Sequence, residues 1–498
     1  MASNRDTRDG ISRREFASRM GAAAAGIAVG GDLFTSLVHA APHVGGRIIG
    51  ANDRLVTASI GIRGQGNALK RGFARLKNVE IKTLCDIDAN LAPSRTHDAR
   101  LGDVATFKPG FAQDLRRVLD DKDIDAVVIA APNHWHALAT IWALEAGKHV
   151  YVEKPASHTV WEGRKMVEAA AHYKRLVQVG TVNRSRPAVR DAIAFIHEGG
   201  LGKVYMARGL CYKPRPAIGR YPDGAMAPGE KYALTLTSTS YEPTYDAQYL
   251  SKVDYDLWLG PAPKRPFNRN RFHYNWHWHW DFGNGDSGNQ GPHQFDIARW
   301  GLQKQEHPVK IKSAGGYAGD ESSQETPNYQ TSVFEYADGA VLEFATRGGF
   351  TNDESGVRIG NLFYGTKGWL WIEEAGRKWQ SYFGPKNEPG PGAGRSDPTG
   401  EPTGLTTTEY PHYQNFVDAI RAGDPKLLAC EVSEGHLSSA LPHLGNISYQ
   451  VGRALVFDGK TEKFVDDKQA DRLLTREYRK GFEIPNSFST ATHQQARR

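Results

Sequence analysis

A buried apolar segment that leads directly into a glycine-rich turn constrains the fold of this chain more than any other feature. Leu55–Ile60 is apolar enough to be an internal strand, and a helical stretch through Leu76 follows the turn. Glycines allow a sharp turn between strand and helix, and they let backbone N–H groups approach a phosphate at the start of the helix. The pattern predicts the first strand of a doubly wound parallel sheet. The turn residues with this role are Gly61, Ile62, Arg63, Gly64 and Gly66.

Asp86 follows the second predicted strand, Val79–Cys85. A carboxylate about twenty residues after the glycines can accept hydrogen bonds from adenosine ribose hydroxyls, and it repels a 2′-phosphate. A plain turn residue is the alternative interpretation, because Asp88 lies close by and aspartate is common in turns. The position of Asp86 therefore favours NAD over NADP.

The chain continues to alternate between short apolar strands and helices. Strands are predicted at 124–130 and 149–152, and helices at 136–146 and 160–173. This alternation is typical of an α/β fold with a parallel sheet. Polar residues follow these strands directly, at the sheet edge where nucleotides bind. Those that we expect near a cofactor are Pro132, Asn133, His136, Glu153 and Lys154.

Four motifs occur here in a fixed order: the glycine-rich turn, the acidic residue after the second strand, A-x-P-N-x-x-H at 130–136 and E-K-P at 153–155. Together they resemble the Gfo/Idh/MocA oxidoreductases over nearly the whole chain after its first forty residues. The resemblance implies an N-terminal Rossmann domain with a doubly wound parallel sheet, and a C-terminal α/β domain with a large, open, mostly antiparallel sheet. The expected segments are a signal peptide at 1–40, the NAD-binding domain at 41–180, the substrate domain at 181–455 and a C-terminal strand and arm at 456–498.

The lysine of the E-K-P motif lies beside the nicotinamide and the substrate in that family. The resemblance therefore implies that Lys154 orients a substrate oxygen and stabilises the charge that develops on it during hydride transfer. A solvated surface lysine is the alternative, which the location at a strand end disfavours.

Aromatic and polar residues interleave most densely between Phe272 and Trp300. Aromatic rings stack on the C–H faces of a sugar, while polar side chains hydrogen-bond its hydroxyls. Two other interpretations stay open. His277 and His279 on one face of a strand would suit a metal, although no Cys or H-E-x-x-H motif accompanies them and we predict no metal site. The tryptophans would also suit a buried core. The expected substrate contacts are Arg184, Trp276, His277, His279 and Asp296.

His293 is the candidate for proton transfer, because an unperturbed imidazole titrates near about 6.5. Family members commonly carry an aspartate four residues before this histidine, and the pair completes the catalytic group with the lysine of E-K-P. This chain has Asn289 at that position. Asparagine forms hydrogen bonds but cannot accept a proton. Asp286, one turn earlier, is the candidate replacement.

The departure at Asn289 leaves two enzymatic mechanisms open. In one, the protein oxidises or reduces a sugar or sugar derivative at a carbinol carbon, and a second substrate resets a tightly bound cofactor. In the other, which resembles the family's NAD-dependent glycoside hydrolases, transient oxidation acidifies a C–H bond, elimination breaks the glycosidic bond and reduction restores NAD. A third alternative is a sugar-binding protein that has kept the fold and lost catalysis.

The N-terminus has the features of an export signal. Arg13 and Arg14 precede an Ala/Gly-rich stretch from Met20 to Val29, and a small-residue cleavage site ends at Ala40. A twin-arginine signal of this kind predicts that the Tat machinery exports the folded protein to the periplasm or the extracellular space. No free pool of NAD exists there, so we expect a firmly held cofactor. An amphipathic N-terminal helix is the alternative.

The composition argues against several other classes of protein. The 62 Lys and Arg against 56 Asp and Glu give a formal charge of +6 that is spread without a basic block, unlike a nucleic-acid-binding face. Three widely spaced cysteines indicate neither a disulfide framework nor a Cys-based zinc site. No stretch beyond the first forty residues is apolar for the length of a membrane span. We expect a small carbohydrate as substrate, and a homo-oligomer stays open.

Overall fold

The computed structural model describes residues 54–97, 108–232, 245–373, 376–394 and 410–488. The expected export signal and the first part of the predicted NAD-binding domain lie outside these residues. The described chain forms two sheets, one of six strands and one of ten, with helices packed against both. No helix among these residues has both the length and the apolar character that crossing a bilayer requires.

The six-stranded sheet is parallel throughout and confirms the doubly wound fold that the sequence predicts. Its order, β3-β2-β1-β4-β5-β6, reverses direction at β1, where the glycine-rich turn begins. Such a switch point opens a crevice outside the carboxyl ends of the strands. The strands are β1 Leu55–Ile60, β2 Val79–Cys85, β3 Gly110–Ala112, β4 Ala126–Ile129, β5 His149–Val152 and β6 Val177–Val179.

Helices cover both faces of this sheet, which explains why all four residues of β4 are buried. The helix after β5 shows how local sequence sets the boundaries. It begins after Thr159, whose hydroxyl accepts a hydrogen bond from the N–H of Glu162, and it ends where Lys174 takes the left-handed conformation. The helices of this half are α1 Gly64–Ala74, α2 Ala92–Thr96, α3 Leu115–Asp120, α4 Asn133–Glu145 and α5 Val160–Tyr173.

The ten-stranded sheet is mostly antiparallel, as the resemblance implies. Among its described strands, β7 and β10 pair in parallel and the other neighbours run antiparallel. The order is β14-β13-β12-β11-β7-β10-β9-β8-β15-β16. The strands are β7 Val204–Cys211, β8 Lys310–Gly316, β9 Tyr329–Glu335, β10 Val341–Arg347, β11 Ile359–Gly365, β12 Gly368–Glu373, β13 Lys378–Phe383, β14 Glu388–Gly394, β15 Leu455–Asp458 and β16 Lys463–Phe464.

Two helices, α10 and α12, pack on one face of the ten-stranded sheet and share a core with it. Phe295 of α10 contacts the rings of Phe334 and Phe344, and Leu441 and Leu444 of α12 join the same buried cluster. This core fixes the start of α10, where the candidate catalytic histidine lies. The helices of this half are α6 Pro187–His197, α7 Ala247–Leu250, α8 Tyr255–Leu259, α9 Gly285–Asn289, α10 Gly291–Gly301, α11 Tyr410–Ala422, α12 Val432–Val451 and α13 Lys468–Asp471.

Segments from the C-terminal half also complete the core of the first half. Tyr413 of α11 stacks on Phe73 of α1, with ring centroids 5.1 Å apart. Phe482, in the C-terminal arm, packs edge-on against Trp135. The sequence boundaries at 180 and 455 therefore do not separate the two cores. The Pro/Gly-rich stretch near 388–394 forms β14, because its backbone pairs with β13 despite the prolines.

Candidate cofactor and active site

A cavity of about 630 Å³ extends along the carboxyl edge of the six-stranded sheet. Residues that follow β1, β2, β4, β5 and β6 line one wall, and residues from the second half line the other. This is the location that the doubly wound fold reserves for a nucleotide. The predicted site residues on its lining are Gly61, Arg63, Gly64, Gly66, Asp86, Pro132, Asn133, His136, Glu153, Lys154, Trp276, His277, Asn289 and His293.

The glycine-rich turn has no room for side chains at two of its positions. A Cβ on Gly66 would lie 1.8 Å from the carbonyl oxygen of Gly61, and Gly61 itself has a φ of +78° and backs onto the carbonyl of Ala130. A Cβ on Gly64 would meet nothing within 4 Å, and this residue starts α1. The turn is therefore closed on its protein side and open on its cavity side. Its backbone N–H groups at a helix N-terminus fit the pyrophosphate of a dinucleotide.

Asp86 is half-buried at the end of β2, and its carboxylate is held in place by the backbone. Oδ2 accepts the N–H of Ile62 at 2.8 Å, and Oδ1 accepts the N–H of Asp88 at 3.1 Å. Burial raises the pKa of Asp86 to about 6, although these two hydrogen bonds oppose the rise. Ile62 thus positions Asp86 through its backbone, while its side chain lies in the core and not on the cavity.

Sequence reasoning did not single out the residues at the β2–β3 end of the cavity. Gln113, Asp114 and Arg116 line it after β3, and Trp258 and Phe482 line it from the second half of the chain. The rule that ligands bind at strand ends would have identified the residues after β3, had that three-residue strand been predicted. Trp258 and Phe482 have no such local signal.

Residues 245–282, here called the strap, run across the β2–β3 end of the cavity. Tyr249 donates its hydroxyl to Oδ2 of Asp88 at 2.6 Å, and Nε2 of His273 lies 2.9 Å from the same oxygen. Burial opposes the ionisation of Asp88, but the hydrogen bonds from His273 and Tyr249 hold its pKa below the usual value. Backbone bonds add to the contact, since Ala89 donates to the carbonyl of Lys252. The strap is thus fastened to the nucleotide-binding half.

His136 clamps the E-K-P turn against the end of β4. Its Nδ1 lies 2.6 Å from the carbonyl oxygen of Pro155, and its Nε2 lies 2.7 Å from that of Ala131. Burial lowers the pKa of His136 to about 4. Because both ring nitrogens face backbone carbonyls, His136 positions the lysine turn. Asn133 is also engaged, donating from Nδ2 to Oδ1 of Asn284 at 3.1 Å.

Lys154, Asn289 and His293 lie together at the β5 end of the cavity, as the resemblance implies. Nζ of Lys154 donates to the carbonyl oxygen of Asn289 at 2.7 Å and lies 3.4 Å from its Oδ1. Burial lowers the pKa of Lys154. Burial, followed by the positive charge of Lys154, lowers the pKa of His293 well below its ordinary value. Nδ1 of His293 is buried and has no hydrogen-bond partner among the described residues.

Asp286 does not take the place of the missing carboxylate. Arg215 grips it with two donors, Nη2 at 2.7 Å and Nε at 3.2 Å. Its side chain is 3% exposed and does not line the cavity. The prediction of a catalytic Asp286 is therefore corrected: the carboxylate is consumed by an ion pair, and only its charge reaches Lys154.

Arg184 and Asp296 are not substrate contacts. The guanidinium of Arg184 donates to both oxygens of Asp296 at 2.8 Å each, and to Glu434 at 3.0 Å. Ser438 and Arg299 complete this buried network. Neither predicted residue lines the cavity. Their sequence pattern suited sugar recognition, but distant partners pair them and they join helices α10 and α12 to the turn after β6.

The aromatic segment around Trp276 divides between the cavity and the core. Residues Asn275–Trp278 form a 3-10 helix, so His277 and His279 do not share one face of a strand. Trp276 and His277 stack on each other and line the cavity. His279 is buried off the cavity, with Nδ1 3.4 Å from Glu325. The prediction that His279 contacts substrate is therefore corrected.

Another group of metal-ligand types lies outside the cavity. His307 and His436 both direct Nε2 at Oε1 of Glu462, at 2.9 Å and 2.7 Å. Arg164 also donates to this oxygen. A guanidinium on the same carboxylate oxygen already supplies its countercharge. We interpret the group as a structural link between α5, α12 and the β15–β16 turn.

Two family models match the chain. Residues 58–181 match a model described as oxidoreductase family, NAD-binding Rossmann fold. Residues 241–358 and 405–484 match a model described as oxidoreductase family, C-terminal alpha/beta domain. Together the matches cover more than half of the chain and include both sides of the cavity.

Curated relatives are similar over shorter stretches. Levoglucosan dehydrogenase from Pseudarthrobacter phenanthrenivorans is 43% identical over 97 residues, which are 19% of this chain and 25% of that protein. A glycosyl hydrolase family 109 protein from Shewanella pealeana is 29% identical over 208 residues, 39% of this chain and 44% of that protein. The chain thus matches less than half of the length of these relatives. A solved structure of levoglucosan dehydrogenase in complex with NADH has a TM-score of 0.58 at 20% identity, covering 81% of this chain and 98% of that chain, and it shares the fold.

Proposed function

The chain belongs to the Gfo/Idh/MocA oxidoreductase family, and from that premise we propose that it transfers a hydride between a carbinol carbon of a sugar and a tightly bound NAD. When bound, the nicotinamide supplies the hydride acceptor or donor. The residues of this chain bind the cofactor, orient the sugar and handle the proton. The observation that carries the proposal is the pairing of a dinucleotide turn with Lys154 and His293 in one cavity.

Lys154 is the residue that would orient the reacting oxygen. Its Nζ donates one hydrogen bond to the carbonyl of Asn289, which leaves further ammonium donors for a substrate oxygen. Partial burial strengthens an electrostatic interaction with an oxygen that gains negative charge. Trp276, on the wall that the second half contributes, offers an apolar face for the sugar ring.

His293 is the residue that would accept the hydroxyl proton. Its lowered pKa keeps the ring neutral near pH 7, and a neutral imidazole has one acceptor nitrogen. Nδ1 makes no bond to a described residue, so it is available to a ligand. Asn289 cannot share this task, because an amide does not take up a proton.

The first experiment uses the purified protein without added cofactor. Addition of sugars should change the absorbance of the bound nicotinamide. Lys154→Ala should slow this change by about a hundredfold or more, because a donor to the developing charge is removed, and it should leave the amount of bound NAD unchanged. Lys312→Ala, at an exposed lysine of β8, is the matched control. Equal rates for Lys154→Ala and the control would refute the assigned role.

A redox-neutral NAD-dependent glycosidase is the second candidate, favoured by the similarity to a glycosyl hydrolase family 109 protein. In this scheme a sugar carbinol is oxidised, the neighbouring C–H loses its proton, the glycosidic bond breaks by elimination, water adds and the carbonyl is reduced again. No second redox substrate is required, which fits a cofactor that does not exchange.

The two candidates differ in what happens to the substrate. Aryl glycosides should release aglycone over many turnovers under the second scheme, with solvent deuterium at the carbon that lost its proton. Formation of a lactone together with a sugar alcohol, without aglycone release, would instead support net hydride transfer. Neither product, with NAD bound, would leave a sugar-binding protein.

We also propose that the Tat machinery exports the protein, on the basis of the paired arginines 13 and 14 and the apolar stretch that follows. Export of a folded chain would carry NAD with it. A double Arg13→Lys, Arg14→Lys variant should stay in the cytoplasm, whereas the unaltered chain should be found outside it in fractionated cells. Equal distribution of both forms would refute the proposal.

A further inference from the structure

The carboxylates on the cavity wall lie away from the end where Lys154 is found. Asp86 follows β2 and Asp114 follows β3, whereas Lys154 follows β5. Three strand spacings separate β2 from β5 in the sheet, about 14 Å. The two acidic residues therefore have little influence on charge at the β5–β6 end of the cavity.

Two arginines line this β5–β6 end. Arg186 follows the turn after β6, and Arg377 lies between β12 and β13. They come from opposite walls but lie close together: a Cβ on Gly376 would be 2.8 Å from Cδ of Arg186. The side chain of Arg186 thus passes the residue next to Arg377.

Glu153 is the third described carboxylate on the cavity wall, and it faces the glycine-rich turn. Its Oε1 accepts from Nε2 of Gln65 at 3.3 Å, and its Oε2 accepts the N–H of Lys154 at 3.2 Å. The residue is 5% exposed. Its hydrogen bonds hold it beside the start of α1, away from the two arginines.

Lys213, two residues beyond β7, adds charge behind this wall. It makes no hydrogen bond or ion pair with any residue in the described part of the chain, and it is half-buried. After burial and Lys154, the charges of Arg186 and Lys213 lower the pKa of His293, so both cations act on the site. Arg215 differs, because Asp286 balances its charge.

We propose that the substrate is a sugar acid whose carboxylate binds at the β5–β6 end to Arg377 and Arg186, with Lys213 behind them. The guanidinium fork matches a carboxylate with two parallel hydrogen bonds. A net positive surface in a recessed site attracts an anion and gives it a stronger interaction than bulk water allows. The assignment rests on the proposed function, because it takes the sugar to occupy this same cavity.

The test measures binding as well as turnover. Quenching of tryptophan fluorescence, with Trp276 in the cavity, gives the dissociation constant for a hexuronic acid and for its neutral methyl ester. The acid should bind about tenfold to a hundredfold more tightly, the value of a charge-assisted hydrogen bond. Its affinity should fall with rising salt, while that of the ester should not.

Substitution separates the arginine from the general charge of the protein. Arg377→Gln should remove the preference for the acid, and Arg377→Lys should restore part of it. Arg190→Gln is the matched control, an exposed arginine of α6 that does not line the cavity, and it should keep the preference.

Equal affinity for acid and ester would overturn the assignment, and so would tighter binding of a sugar phosphate than of the sugar acid. Failure here is distinguishable from failure of the proposed function. If neutral sugars change the bound nicotinamide absorbance and the acid has no advantage, hydride transfer stands and the sugar acid does not. If no sugar changes the absorbance, hydride transfer fails, and the dissociation constants alone decide whether the carboxylate is bound.

Discussion

The hydroxyl of Tyr249 donates to the buried carboxylate of Asp88 at 2.6 Å, and this bond fastens the strap to the end of β2. The two residues lie 161 positions apart in the chain. Because the strap lines the cavity through Trp258 and His273, a bound dinucleotide would be covered by it. The contact explains in physical terms how the protein would retain its cofactor.

We predict that Tyr249→Phe accelerates the loss of bound NAD. The substitution removes a hydrogen bond to a charged group, worth about 1.5–3 kcal/mol, and the release rate should rise about tenfold or more. Fluorescence of the bound nicotinamide during dilution into a scavenging dehydrogenase measures the release. Tyr205→Phe, at an exposed tyrosine, is the control. Identical release rates for the two variants would show that the strap does not retain the cofactor.

The same bond gives retention a pH dependence. Asp88 has a folded-state pKa below its unfolded value, so its contribution is present above about pH 4 and is lost as the pH falls through the folded pKa. Retention of NAD should therefore weaken on acidification. Asp88→Asn should release NAD quickly across the whole range and show no such acid dependence.

The glycine-rich turn yields a prediction with a built-in control. Gly66→Ala places a Cβ 1.8 Å from the carbonyl oxygen of Gly61, so the turn must shift, at a cost of about 1–3 kcal/mol. Gly64→Ala meets nothing in the protein. We expect Gly66→Ala to lower the unfolding midpoint of the NAD-free protein. Gly64→Ala should keep that midpoint and lose affinity for NAD, because its methyl group enters the cavity.

Local patterns explain what could be predicted from the sequence. The strand at 55–60, Gly61 and the helix at 160–173 depend on apolar spacing, backbone freedom and capping, which act within a few residues. Lys154 could be located for the same reason, since it directly follows a buried strand.

Long-range partners explain what could not be predicted. Arg184 binds Glu434, 250 residues later, so its local sequence gave no sign that its charge was already paired. The strap has short helices and irregular backbone between them, and its place over the cavity depends on contacts with residues such as Asp88. No periodic pattern specifies such contacts.

Asn289 yields a prediction about pH. The lysine Nζ lies 3.4 Å from Oδ1 of Asn289, so Asn289→Asp places a carboxylate beside Lys154. An opposite charge favours the ammonium form and raises the lowered pKa of Lys154. Activity that requires a protonated Lys154 should then persist to higher pH. Asn289→Ser is the neutral control, and a shift of its alkaline limit equal to that of Asn289→Asp would contradict the electrostatic explanation.

Arg184 separates a structural role from substrate contact. Its guanidinium is 8% exposed and balances the nearly inaccessible carboxylate of Asp296, so Arg184→Ala leaves a buried charge without its partner. Breaking such a pair costs about 3–5 kcal/mol. We expect a large fall in the free energy of unfolding, measured in urea, and an unchanged KM for the fraction that stays folded. The double variant Arg184→Leu, Asp296→Leu removes both charges and should recover part of the stability, because no unpaired ion remains from this pair. A raised KM with unaltered unfolding would instead return Arg184 to the substrate site.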